Sequence, residues 1–103
     1  MTPDMNELVE LVEKWGEEKH IDNPYRQLNK VLEEVGEIAH EVCRDRLDSP
    51  EFQDSIGDAL VTIIILGNMT GNNVAVCLEK ALHEISNREG ITTADGMFIK
   101  DEQ

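Results

Sequence analysis

Two short stretches of the chain gather groups suited to oxygen chemistry. Residues 32–40 read LEEVGEIAH and residues 54–60 read DSIGDAL. An α-helix turns once in about 3.6 residues, so positions three and four apart share a face. Glu33 and Glu37 are four apart, Glu34 and Glu37 three apart, and Asp54 and Asp58 four apart, with Glu51 three before Asp54. Each stretch thus stacks carboxylates on one helical stripe. Like charges at this spacing destabilise an isolated helix by about 0.2–0.5 kcal/mol per pair. Glu34 and Asp58 also fall next to apolar residues, where an unpaired charge is expensive. A hard divalent cation such as Mg2+ or Mn2+ would neutralise several of them at once, because such ions prefer oxygen ligands. Gly36 and Gly57 each stand one residue before a carboxylate. Both weaken a helix, and we read both as points where two helices approach closely.

The elements that must carry these groups are helices. Residues 3–19 place Leu8, Leu11, Val12 and Trp15 at helical spacing, after a Thr2-Pro3 start. Residues 24–46 follow an Asn23-Pro24 start, with an apolar stripe of Leu28, Val31, Leu32, Val35, Ile38, Ala39 and Val42. Ser49-Pro50 opens a third segment that runs to about Gly71. Its β-branched run at 61–66 is read as helix because no turn signal separates it from the helical spacing before it. Residues 73–87 form a fourth. Asp95-Gly96 sits between β-prone residues and predicts a small hairpin or arm over 91–100. The third helix is apolar nearly all round, which requires cover on every side. A chain of 103 residues cannot supply that alone, so self-association through helices two and three is expected, as a dimer or tetramer.

Composition narrows the function classes. Residues 1–103 read as one domain, with 22 acidic residues against 9 basic and a net charge of -13. That balance repels a nucleic-acid backbone and gives no reason to expect a nucleic-acid partner, but it suits divalent cations and phosphates bridged by them. The first residues are acidic and lack the apolar core of an export signal, and no apolar run is long enough to span a bilayer. A cytoplasmic location without membrane association is therefore expected. Cys43 and Cys77 lack metal-ligand spacing and are read as reduced, buried thiols. His40 and Cys43 continue the Glu33/Glu37 face without the partners of a zinc site and are read as structural.

EEVGE at 33–37, followed on the next helix by SIGDALVTIIIL at 55–66, resembles the MazG-like, all-α nucleoside triphosphate pyrophosphohydrolases. Their signature is EExxE followed by ExxD. The resemblance extends over most of the chain, and the NREGITTADGMFIKDE tail is similar to that of short MazG-like proteins often encoded by phages, which would place the protein in the host cytoplasm. It implies a four-helix MazG-like bundle completed by oligomerisation. It also implies hydrolysis of a (deoxy)nucleoside triphosphate to the monophosphate and pyrophosphate, in the service of nucleotide pool control. Glu33, Glu34, Glu37 and Asp58 would hold Mg2+, which Mn2+ could replace, with Glu34 and Glu37 in the catalytic set. Aligning GDALVTIII places Ser55 where the family has an acid. Asp54 is the preferred substitute, and Glu51-Phe-Gln-Asp54 is itself a literal ExxD. Lys30 and Arg88 are the candidates for phosphate binding, and Trp15 is a candidate base contact as well as a candidate core residue. Two rival readings stand: a pyrophosphatase for another nucleotide, such as dCTP, dUTP or phosphoribosyl-ATP, and an acidic helical interaction protein with a degenerate metal site.

Overall fold

Four helices and a terminal hairpin make up the computed structural model, which describes residues 2–101. The helices are α1 (Met5–Glu18), α2 (Pro24–Cys43), α3 (Pro50–Met69) and α4 (Val74–Ser86), followed by β1 (Gly90–Thr92) and β2 (Phe98–Lys100). Side-chain caps set three of the starts where the sequence places them. Asn23 accepts from the Tyr25 and Arg26 amides, Ser49 from Phe52, and Asn73 from Ala75 and Val76. The first helix differs from expectation. Asp4, not Thr2, is its cap, because the Asp4 carboxylate accepts from both the Asn6 and Glu7 amides. The run at 61–66 is helical, and the hairpin pairs Ile91 with Ile99 around a turn in which Gly96 adopts φ 90°.

The helices are organised by α3. It lies between α1 and α2, buries Ser55, Ala59, Ile64 and Ile65, and is bent by 102° from α4. Val9 of α1 completes the small buried core, and Gly16 lets α1 settle on α3: a Cβ there would lie 3.2 Å from Ile65. Gly36 and Gly57 do not serve this purpose. An added Cβ at either would meet nothing within 4 Å, because both point away from the α2–α3 seam. The expected buried thiols are also corrected: Cys43 and Cys77 are both exposed, Cys43 at the end of α2 and Cys77 on α4, none of whose residues is buried.

Much apolar surface stays in solvent. The accessible area is 8393 Å2, where a folded monomer of 11.6 kDa has about 5,800 Å2. The radius of gyration is 16.1 Å, against about 13 Å for a compact domain of this length. No residue of α4 is buried, and the hairpin leaves Ile91, Met97, Phe98 and Ile99 bare. No single helix is long and apolar enough to cross a membrane.

Candidate active site

One hydrogen bond fixes how α2 lies on α3. Gln27 Nε2 donates to the Thr62 carbonyl at 3.1 Å, joining the start of α2 to the second half of α3, and the short connection over residues 44–49 makes the helices antiparallel. A helix returns to nearly the same face every seven residues. Seven on from Gln27 is Glu34 and seven more is Glu41; seven back from Thr62 is Ser55. These are the residues of the seam. Gln27 and Glu41 are 5% and 7% exposed, Glu34 is half-buried and Ser55 is buried. Glu34 therefore stands opposite Ser55. The Ser55 hydroxyl donates to its own helix, at the Glu51 carbonyl (2.9 Å), so Ser55 fills the seam rather than substituting for a charged ligand.

Along one edge of this seam lies a cavity of about 600 Å3. Trp15, Asn23, Arg26, Lys30, Glu33 and Val61 are among its walls. Trp15 is 48% exposed and so belongs to this wall rather than to the core of the chain. His20 closes the end of α1: its left-handed φ of 57° turns the chain so that the Ile21 amide reaches back to the Gly16 carbonyl. Lys30 Nζ lies 3.3 Å from Glu33 Oε2, an exposed pair that is free to rearrange.

The same edge continues into the acids. Glu37 follows Lys30 by seven and Glu33 by four; Asp58 precedes Ile65 by seven, Asp54 precedes Val61 by seven and Glu51 precedes Asp58 by seven. Helical periodicity thus puts Glu33, at the cavity wall, and Glu37 on one bank, and Glu51, Asp54 and Asp58 on the other. Glu33, Glu37, Glu51, Asp54 and Asp58 are exposed. Among the described residues no three acidic, histidine or cysteine side chains have converged into a ready-made cage. The donor set still fits a hard divalent cation: the groups are all carboxylates, they line both banks of one seam, and the exposed ones have room to swing inward. Arg88 is elsewhere, exposed just beyond α4 and not among the cavity's walls. Glu41 is the residue that sequence reasoning missed. Its seven-residue spacing from Glu34 was the signal that marked it as a seam residue.

A scan of known protein-family profiles finds no match. A protein of Haemophilus phage HP1, described as an uncharacterized 18.2 kDa protein of the rep-hol intergenic region, is 32% identical over 80 residues, which cover 75% of this chain. Those residues are 47% of the phage protein, so the chain spans about half the length of that relative. Among solved structures, the cyanophage S-2L MazG-like pyrophosphohydrolase, bound to dGDP and three catalytic Mn2+ ions per active site, superposes with a TM-score of 0.67. That match covers 98% of this chain and 100% of the other, at 19% sequence identity. The chain has the all-α MazG-like fold.

Proposed function

We propose that the chain is a metal-dependent MazG-like pyrophosphohydrolase, cleaving a (deoxy)nucleoside triphosphate to monophosphate and pyrophosphate. The observation that carries this reading is the continuity of the Trp15 cavity with two banks of carboxylates along one seam. A nucleotide has the same layout, an aromatic ring at one end and anionic oxygens at the other. The shared fold adds support, since the cyanophage protein holds dGDP and Mn2+.

Glu33, Glu34, Glu37 and Asp58, with Asp54 in place of the acid absent at Ser55, would hold Mg2+ or Mn2+. Such an ion supplies phosphate charge neutralisation and acidifies a water. Trp15 offers a flat face for a base. Lys30, once Glu33 turns toward the cation, is freed to pair with a phosphate oxygen, and Arg26 stands on the same wall. Glu34, where the cation leaves it unligated, is the proton acceptor. Half-buried in the seam, it takes the proton of the water whose oxygen attacks the α-phosphorus, while the bond to the pyrophosphate oxygen breaks. Arg88, exposed just beyond α4, is the second candidate for phosphate binding, from this chain or from another copy.

A second copy is part of the proposal. Leu28, Leu32, Val35, Ala39 and Val42 repeat at spacings of four and three on the outer face of α2, and the large ones are 46–61% exposed. That repeat is a helix-packing seam. The chain exposes on the order of 2,500 Å2 more than a monomer of its mass, whereas a standard interface covers about 800 Å2 per partner. A homo-oligomer accounts for both.

Pyrophosphate release from a panel of NTPs and dNTPs with Mg2+ or Mn2+ tests the activity. Wild type is expected to release pyrophosphate, and Glu37→Ala and Asp58→Ala to fail. Silence of the wild type on every nucleotide, or variants that match it, would overturn the proposal. An acidic interaction protein would bind a partner yet leave every nucleotide intact.

A further inference from the structure

We infer that Glu41 is an additional cation ligand of the acidic seam, and that Arg46 is the exchangeable partner holding its place when no divalent ion is bound. The inference rests on the metal-binding reading of the seam and extends it to a residue outside the EExxE and ExxD pattern.

The Glu41 side chain is 9% exposed, and its Oε2 is buried with no hydrogen-bond donor. Its nearest cation is Arg46 Nη1 at 3.9 Å, a charge contact too long to be a hydrogen bond. A buried carboxylate oxygen left in this condition destabilises the fold. A neutral residue in the same place would relieve that strain, so the charge needs a use. Its position suggests one. Glu41 is seven residues after Glu34 and four after Glu37, on the face of α2 that meets α3, and so extends the carboxylate ridge by one turn. The antiparallel register set by Gln27 and Thr62 brings this turn beside the start of α3, where Glu51 stands.

The local backbone explains why the compensation is weak. Asp45 adopts a left-handed φ of 56°, and the Arg46 amide donates back to the Glu41 carbonyl at 3.0 Å. This closing turn of α2 lays Arg46 over Glu41 but fixes only its backbone. The Arg46 side chain is 47% exposed and can return to water at little cost. A buried acid covered by a half-exposed cation without a hydrogen bond is arranged for exchange. Glu41 would hold Mg2+ or Mn2+ through its carboxylate in place of the guanidinium, since such ions prefer oxygen ligands.

Titration of Mn2+ into the nucleotide-free protein, with bound and free ion counted by electron paramagnetic resonance, tests this without reference to turnover. Glu41→Gln keeps the shape and is expected to lose one Mn2+ per chain or to weaken its binding by about tenfold or more, the scale on which groups around a metal act. Its thermal melt without metal should be no lower than wild type. Arg46→Gln removes the competitor and should bind Mn2+ more tightly. Unchanged Mn2+ binding in both variants overturns the role of Glu41, provided Glu37→Ala still loses Mn2+. If Glu37→Ala also binds Mn2+ as wild type does, the metal reading of the whole seam fails with it.

Discussion

The two faces of α2 are not sorted as in an ordinary amphipathic helix. The packed face buries Gln27 and Glu41 and half-buries Glu34 beside Val31 and Ile38, while the face in solvent carries Leu28, Leu32, Val35 and Val42. Burial of apolar area drives folding, so a chain that hides glutamates and shows leucines has not finished burying itself. The polar face is where the proposed chemistry would be assembled, with a cation to neutralise its charges. The apolar face is the one that the proposed second copy would cover. On the proposed function, these are two separate surfaces of one helix, one for an ion and one for a copy of the chain.

The sharpest way to break the inner half of this comparison is at the second bank. Asp58→Asn keeps the size of the side chain and removes its charge. It is expected to lower kcat/KM for pyrophosphate release by about a hundredfold or more, the scale of losing one charge-stabilising group. Asp54→Asn and Glu51→Gln, measured the same way, separate the two registers: the larger loss identifies the acid that answers for Ser55, and Asp54 is expected to show it. Equal, small losses at all three would detach this bank from the chemistry.

The outer half is tested by charge. Leu32→Asp puts a carboxylate in the middle of the exposed repeat. Burying a leucine is worth about 1.5–3 kcal/mol, and an oligomer with two such faces loses that on each. Sedimentation or light scattering is expected to show wild type as a dimer or larger and Leu32→Asp as a smaller species. A monomeric wild type would refute the outer half outright. Smaller again is the effect at Trp15. Stacking of a base on an aromatic ring is worth about 1–3 kcal/mol, so Trp15→Ala should raise KM for the best nucleotide by about tenfold while kcat holds.

How far the sequence reveals this depends on the range of the interactions involved. Helix starts at Asn23, Ser49 and Asn73 are legible because a cap is made within three residues of itself. Asp4 displaced Thr2 because two acidic side-chain bonds outcompete a proline signal, a contest that spacing alone does not decide. The direction of each face of α2 was not legible. The stripe of Leu28, Leu32, Val35 and Val42 marks a surface to be covered without saying by what, and a reader assumes the core. Glu41 was lost for the same reason, since a charge on a presumed outer face invites no question. The carboxylate banks were legible as spacing, but their shared edge with the Trp15 cavity needed the Gln27–Thr62 bond to set the register.

Gly36 joins the two halves and gives the finest test. Within the single chain it has open space around it, so Gly36→Ala should strengthen α2 by about 0.8–1.0 kcal/mol, the helix propensity difference. Gly36 borders the exposed repeat, however, one residue after Val35 and four after Leu32. If another copy's helix packs there, the added methyl meets it and the gain disappears. The variant is therefore measured in two backgrounds by thermal melts. In the Leu32→Asp background, where the partner is lost, the full gain is expected. In wild type a smaller gain or a loss is expected, together with weaker assembly. The same gain in both backgrounds would place Gly36 outside the interface and leave its helix-weakening presence between Val35 and Glu37 without a structural reason.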